Sequence, residues 1–301
     1  SAVSIATPIG AYAYDLQFNG SPKAFTSVIE LSTPHQQMST IKSTTNVDVT
    51  SLNALHLTSQ LVTPVGQYGL RLSHNGNMQG FRNEAELTTP HTPYNKFAYT
   101  INFALSSNIR LNGEVTTSVP SYERFTFDIN HEARTDGFRS SAEATTSISG
   151  YNRFVVSVEH TGSLASPKTV VSVQTPFPGH DSYTLTTEKS GLLANLLVKS
   201  VLQTPKGVYS GSFSQSGSHN DFTTEAALNL PMPGFERFTF ELKHKGDSDR
   251  SRSHVQITTP FRNWETFGAR LRHDARDNIR SSLTINTAYP GFEEIVAALT
   301  H

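Results

Sequence analysis

Histidines recur along this chain at a nearly constant spacing, and histidine is the side chain best suited to bind a metal ion or to respond to pH near neutrality. The interval from His131 to His160 equals that from His244 to His273, and His301 follows after almost the same interval. If they occupy equivalent positions in successive hairpins, about 9.6 Å separates neighbours, too far for two of them to share one ion. We therefore expect no metal site, and we expect each histidine to end an apolar stripe where it meets water.

The histidines belong to an internal repeat with a period of about 28–29 residues, a length typical of repeat architectures. Residues 233–244 match residues 290–301 at six of twelve positions. The last residue of this segment recurs along the chain at Phe18, His74, Phe103, His131, His160, Lys189, Gln215, His244, His273 and His301. The first gap, from Phe18 to His74, spans two periods. It therefore contains one degenerate unit, around residues 36–49, whose register the sequence does not define.

Each repeat is predicted to be a β-hairpin. Phe238, Phe240 and Leu242 alternate with polar residues, which is the period-two pattern of a strand with one apolar face. Glycine follows most of the recurring positions and favours a chain reversal, while Thr-Pro pairs mark strand ends because proline cannot donate into a ladder. These signals predict an all-β fold: a long antiparallel up-and-down meander of about 20 strands, one amphipathic sheet over residues 1–301.

A parallel β-helix with one coil per repeat would show the same period. Parallel strands that are buried on both faces have continuous apolar runs, whereas the strands of this chain alternate between apolar and polar residues. The alternation favours the meander, and so do the hairpin glycines Gly20, Gly76, Gly162, Gly217 and Gly246.

The apolar face of such a sheet has to be covered. Twenty strands about 4.8 Å apart, each about 30 Å long, give a face on the order of 2,800 Å², and covering half of it stabilises by roughly a few tens of kcal/mol as an upper bound. The chain offers no amphipathic helix, which leaves lipid, a second sheet, or closure of the sheet on itself. We predict that lipid contacts the apolar residues Tyr68, Leu70, Leu72, Phe97, Tyr99, Ile101, Phe103, Phe125, Phe127, Ile129, Phe154, Val156, Val158, Tyr183, Leu185, Phe213, Phe238, Phe240, Leu242, Trp264, Phe267 and Leu271.

One recurrent phrase, Thr-Pro-Phe-x-Gly/Asn-x-Glu, precedes strands of this kind. It occurs in full or in part at residues 175–179, 233–236, 259–265 and 290–293. Outside the degenerate unit, the whole chain resembles the repetitive β-regions of large lipid transfer proteins, the family of the apolipophorins, apolipoprotein B and vitellogenin. The resemblance implies a secreted giant precursor whose amphipathic strands cover phospholipid and neutral lipid in a lipoprotein particle. The chain departs from the family in lacking its helical and cysteine-containing parts.

Composition and motifs argue against several other functions. The chain has 24 Lys and Arg against 25 Asp and Glu, without long runs of one sign, so nucleic acid is not an expected partner. It contains no cysteine, which excludes disulfides and zinc–thiolate sites. No nucleophile elbow, phosphate-binding loop or dinucleotide motif occurs, so we expect neither an enzyme nor a cofactor.

The remaining expectations concern the setting of the chain. Asn19 begins a glycosylation sequon, Asn19-Gly20-Ser21. Both ends fall inside a hairpin, so we expect flanking repeats of the same polypeptide and regard residues 1–301 as a fragment of a much larger protein. The predicted function is non-enzymatic lipid binding and transport outside the cell. The alternative is an extracellular structural protein that forms filaments with a dry sheet–sheet core or associates with itself through sheet edges.

Overall fold

A computed structural model describes residues 2–276 and 279–300 of the chain. The described chain is all-β, with 22 antiparallel strands in up-and-down order and a single 3-10 turn at Gln36–Met38. The predicted meander is confirmed, and the parallel β-helix is wrong because the described strand pairs are antiparallel. His301, the last of the predicted repeat positions, lies outside the described residues.

Contacts divide the chain into two compact units, one comprising residues up to 133 together with 140–155, the other residues 134–139 together with 156 onward. The first strands are β1 (Ala2–Thr7), β2 (Gly10–Ser21), β3 (Ala24–Ser32), β4 (Thr40–Ser51), β5 (Ala54–Thr63), β6 (Gly66–Asn77), β7 (Gly80–Thr88), β8 (Lys96–Leu105), β9 (Asn108–Thr117), β10 (Arg124–Arg134), β11 (Gly137–Thr146) and β12 (Arg153–Thr161). The others are β13 (Lys168–Gln174), β14 (Ser182–Ser190), β15 (Asn195–Thr204), β16 (Gly207–Ser218), β17 (Asp221–Asn229), β18 (Arg237–Gly246), β19 (Arg250–Thr258), β20 (Thr266–Asp274), β21 (Arg280–Thr287) and β22 (Glu294–Thr300).

The pairing register places apolar residues opposite one another from strand to strand. In the second unit, Phe240 of β18 lies opposite Ala226 of β17 and Ile257 of β19. In the first unit, Tyr99 of β8 lies opposite Ala85 of β7. Because side chains alternate along a strand, each unit has one apolar face and one polar face.

Val47 fills the repeat position that the sequence left undefined. In β4 it lies opposite Phe25 and Leu57, just as His244 of β18 lies opposite Phe222 of the preceding strand. The long gap between Phe18 and His74 is thereby divided into two intervals that are each close to the repeat length. A β-bulge near the end of β4 and the 3-10 turn before it flank this strand. Ser43 and Thr45 occupy its apolar face, so the pattern of large apolar residues is degenerate there.

The glycine end of the sheet is the set of turns that follow the even-numbered strands. Gly76 has a φ of 123° and Gly217 a φ of 103°. A Cβ on Gly76 would lie 2.1 Å from the carbonyl oxygen of Gly80, so only glycine permits this close approach. The sequence placed the reversal at the glycine; in the structure the chain turns slightly later, after β6 has ended at Asn77.

The proline end of the sheet is the set of turns that follow the odd-numbered strands. Strands β1, β5 and β15 end at the threonine of a Thr-Pro pair, and β3, β7, β13 and β19 end one residue before it. The prediction that these pairs mark strand ends is confirmed, as expected for a residue without a backbone N–H.

Candidate lipid-contact face

The apolar face of each unit is formed by alternate strand residues. All but one of the residues predicted to contact lipid occupy it, and only Trp264 lies outside a strand. In the first unit they are Tyr68, Leu70, Leu72, Phe97, Tyr99, Ile101, Phe103, Phe125, Phe127, Ile129 and Phe154. In the second unit they are Val156, Val158, Tyr183, Leu185, Phe213, Phe238, Phe240, Leu242, Phe267 and Leu271.

No described element covers this face. Among the described residues no hydrophobic side chain is buried. Phe97, near the start of β8, and Leu271, in the middle of β20, are each 45% exposed. The large side chains therefore pack against their cross-strand neighbours and remain open on their outer side, which leaves apolar surface for a partner to bury.

Charged side chains lie on the opposite, polar face. Among the described strand residues the apolar face carries no Asp, Glu or Arg, and its single lysine, Lys189, lies at the glycine end, where Nζ donates to the carbonyl of Leu164 at 3.2 Å. On the polar face, the Arg153 guanidinium donates to Glu143 at 2.7 Å and holds the pKa of that carboxyl below its usual range. Further ion pairs there are Lys42–Glu30, Arg82–Glu84, Lys96–Glu86, Arg110–Asp128, Arg124–Glu114, Arg134–Glu159 and Lys168–Glu188.

Polar side chains on the apolar face pair with one another. Thr45 Oγ1 is hydrogen-bonded to Ser59 Oγ at 3.0 Å in the first unit. In the second unit Thr187 Oγ1 is hydrogen-bonded to Ser200 Oγ at 3.2 Å. Both pairs join directly opposite residues of neighbouring strands. These hydroxyls are therefore satisfied within the sheet, as an apolar covering partner requires.

The recurrent histidines border the apolar face at the glycine end. His244 is half-buried, and its Nδ1 is hydrogen-bonded to Ser253 Oγ of the next strand at 2.9 Å. Its ring stacks on Phe222 of the preceding strand, with 5.2 Å between centroids. His131, His160 and His273 form the same kind of bond with Ser140, Thr169 and Ser281 at 2.8 to 2.9 Å, and His74 bonds with Asn83.

Sequence reasoning missed the partners of these histidines. It predicted only that the rings end the apolar stripe. The available signal was a Ser, Thr or Asn that follows each of them at a nearly constant short interval, the spacing that a hairpin brings into opposition. Equivalent histidines do not converge: within the described residues no three His, Asp or Glu side chains could hold a metal ion.

Threonines brace the long turns of the proline end. Thr117 Oγ1 donates to the carbonyl of Tyr122 at 2.7 Å, and Thr259 Oγ1 donates to the carbonyl of Trp264 at 2.6 Å. The same bond, from a threonine to the fifth residue beyond it, recurs from Thr287 to Phe292 at 2.7 Å. The side chain thus holds both limbs of the turn together before the next strand begins.

The Gly/Asn and Glu positions of the recurrent phrase are explained by these turns. Gly234 and Asn263 have φ values of 81° and 67°, in the left-handed region that glycine and asparagine tolerate best. The Glu236 carboxylate accepts the Gly234 N–H at 2.9 Å, and the Glu293 carboxylate accepts the Gly291 N–H at 2.9 Å. These backbone donors hold the pKa of both glutamates below the usual range.

Aromatic residues border the apolar face at the proline end. Trp264 lies in the turn before β20, packs against Tyr289 with 5.4 Å between ring centroids, and is 56% exposed. Tyr122 and Phe292, in corresponding turns, are 59% and 60% exposed. Rings with an apolar body suit a boundary between an apolar layer and water.

The glycosylation sequon lies on a strand. Asn19 is exposed near the end of β2, opposite Thr26, and lies on the polar face.

Within the described residues, no helix is long and apolar enough to cross a membrane.

Comparisons with known proteins add no relative. No family model, no curated protein and no solved structure matches the chain.

Proposed function

We propose that this protein binds lipid on the apolar face of its sheet and carries it, without catalysing a reaction, in a secreted lipoprotein-like particle. The observation that carries the proposal is the uncovered face itself: large hydrophobic side chains, no Asp, Glu or Arg among its described strand residues, and no described element above it. Burying one Phe or Leu side chain stabilises by about 1.5–3 kcal/mol, so repetition over many strands gives a strong drive toward an apolar partner.

The borders of the face favour lipid as that partner. Acyl chains are fluid and accept an uneven surface, whereas a second sheet has to interdigitate with it. Aromatic turns at the proline end and histidines at the glycine end place amphipathic side chains where a lipid layer would meet water. Because hydroxyl groups within the face are hydrogen-bonded to one another, few polar groups there would lack a partner beneath acyl chains.

We also propose that the chain is related to the large lipid transfer proteins and that its partners are phospholipid and neutral lipid. The resemblance depends on the recurrent phrase, whose threonine, Gly/Asn and Glu positions each stabilise or permit the turn. Flanking repeats of the same polypeptide belong to the same proposal.

Native mass spectrometry of the purified protein tests lipid carriage directly. We expect many phospholipid and neutral-lipid molecules per chain. Lipid-free protein that assembles into ordered filaments would instead establish the structural alternative, with a dry sheet–sheet core.

A matched pair of variants tests the face. Flotation with phosphatidylcholine-coated triacylglycerol droplets should be weakened by Phe240→Asp, which buries a charge against acyl chains, and not by Thr239→Asp, one residue away on the polar face. Phe213→Asp repeats the test on another strand, and circular dichroism verifies the fold. Equal flotation of all variants would contradict the proposal.

A further inference from the structure

Basic residues face one another on the polar face of β18, β19 and β20, in the second unit. Arg252 of β19 lies directly opposite Arg272 of β20 and opposite Lys245 of β18. The neighbouring row repeats the pattern, since His254 lies between Lys243 and Arg270. We call these six residues the basic cluster. Like charges in directly opposed positions destabilise a strand pair, so the cluster costs stability when it stands alone.

Within the basic cluster, only the two lysines form ion pairs with carboxylates of described residues. Lys245 pairs with Asp221 at 3.3 Å, and Lys243 pairs with Glu241 at 2.7 Å. The three arginines are exposed and form no ion pair with any described residue. Their five N–H donors apiece are therefore available to a ligand.

Arginines elsewhere on the polar face show the contrasting arrangement. Arg124 donates to Glu114 and Arg153 donates to Glu143, each at 2.7 Å and each from a neighbouring strand. These two guanidinium groups are therefore neutralised by a carboxylate of the neighbouring strand. Arg252 and Arg272 face each other instead.

A second feature points to a ligand in the same place. All six cluster residues line one cleft of about 320 Å³. His254 also has a buried Nδ1 with no hydrogen-bond partner among the described residues. Buried polar atoms in proteins are nearly always paired, so the unpaired nitrogen is a further cost to the stability of this part of the sheet.

We propose that the basic cluster binds a compact oxyanion with two or more negative charges, of the phosphate-ester or oligophosphate class. Guanidinium groups hold such oxygens in bidentate pairs, and three of them concentrate the charge that a multivalent anion needs. Asp221, Glu241 and Asp274 flank the cluster and confine the positive potential to a few strands, which suits a compact anion better than a long polyanion.

Nucleic acid fits this surface poorly. The described polar-face residues of β17 to β21 include no Phe, Tyr or Trp on which a base could stack. The cluster lies on the face opposite to the proposed lipid layer, so its ligand comes from the water phase, as a soluble phosphate compound or as a phosphorylated headgroup of another membrane.

Isothermal titration of the protein with tripolyphosphate tests the proposal. We expect saturable binding that weakens with added salt, and a loss of at least about tenfold in affinity in both Arg252→Gln and Arg272→Gln. Arg153→Gln, which removes an arginine from an ion pair on the polar face of the first unit, is the matched control and should bind like the wild type. Absence of binding, or an equal loss in the control, would overturn the proposal.

A stability measurement supplies a second readout. Removing the opposed charge in Arg252→Gln should raise the urea midpoint of unfolding, whereas Arg153→Gln should not. An unchanged or lowered midpoint in Arg252→Gln would contradict the claim that the arginines are opposed in the folded protein.

Vesicles distinguish the source of the anion. If the protein sediments with vesicles that contain phosphatidylinositol phosphate, and this binding is lost in Arg272→Gln and competed by tripolyphosphate, the anion is a lipid headgroup. If the protein binds tripolyphosphate but not the vesicles, the anion is a soluble ligand. Failure of both arms overturns the cluster proposal and leaves droplet flotation, which depends on the other face, unaffected.

Discussion

His244 Nδ1 is hydrogen-bonded to Ser253 Oγ at 2.9 Å, and the two residues lie directly opposite each other on β18 and β19. The pair sits where the apolar face ends and holds the imidazole in one orientation against Phe222. The arrangement recurs with His131 in the first unit and with His160 and His273 in the second, so the same kind of hydrogen bond is repeated at the border of the apolar face of each unit.

Ser253→Ala should destabilise the protein by about 0.5–1.5 kcal/mol, because a half-buried imidazole nitrogen loses its partner. Urea unfolding followed by circular dichroism measures the change. Ser212→Ala is the control, since Ser212 lies on the polar face and makes no side-chain hydrogen bond with a described residue. Equal midpoints for the two variants would show that the bond does not contribute.

Thr117→Val should destabilise by about 1 kcal/mol, because valine keeps the shape of threonine but cannot donate to the carbonyl of Tyr122. The comparison is Thr239→Val, a strand position that is likewise half-buried but has no side-chain hydrogen bond to a described residue. Hydrogen exchange of the turn amides provides the local readout. Unchanged protection in Thr117→Val would argue against the brace.

Stability should fall in acid partly through the turn glutamates. Backbone N–H donors lower the folded-state pKa of Glu236 and Glu293, so the carboxylate form stabilises the fold above the ordinary pKa of about 4.3. That contribution is lost as the pH falls through the lowered folded-state pKa.

Glu236→Gln should therefore lose less stability than the wild type between about pH 5 and pH 3, measured by thermal unfolding across that range. Glu294→Gln is the control, a strand carboxylate with no hydrogen bond to a described side chain or turn amide. If both variants followed the wild-type pH dependence, the turn carboxylates would not be the source of acid sensitivity.

Gly76→Ala should destabilise by more than about 1 kcal/mol, because the added Cβ would lie 2.1 Å from a carbonyl oxygen and φ is 123°. Gly211→Ala makes the same chemical change in β16, where the nearest atom would be 3.7 Å away. There the loss of backbone freedom in the unfolded chain should leave stability equal or slightly higher. Chemical denaturation of both variants provides the comparison.

Much of the fold could be predicted because its signals are local. Alternation in segments such as residues 238–244 defines a strand and its apolar face without knowledge of any neighbour. The Thr-Pro pairs and the hairpin glycines then mark the ends of many of the strands. The prediction was incomplete around Val47, because hydroxyl side chains such as Thr45 replace large apolar residues on the apolar face of β4.

The candidate site was only partly predictable, because alternation identifies strand residues and not turn residues. The strand residues assigned to lipid share one face, whereas Trp264 belongs to a turn at its border. Trp264 lies in the long turn that Thr259 stabilises by its hydrogen bond. The sequence did not predict this because alternation within a strand carries no information about the length of the turn beside it.

By itself, the sequence determined the repeat, the strands and the division of residues between two faces, because period-two alternation is a property of consecutive residues. Only the tertiary structure decided which side chains meet. His244 finds Ser253, and Arg252 is brought opposite Arg272, because strand register sets cross-strand neighbours across turns of variable length. A register shifted by one residue would have preserved the composition of every strand and changed all of these partners.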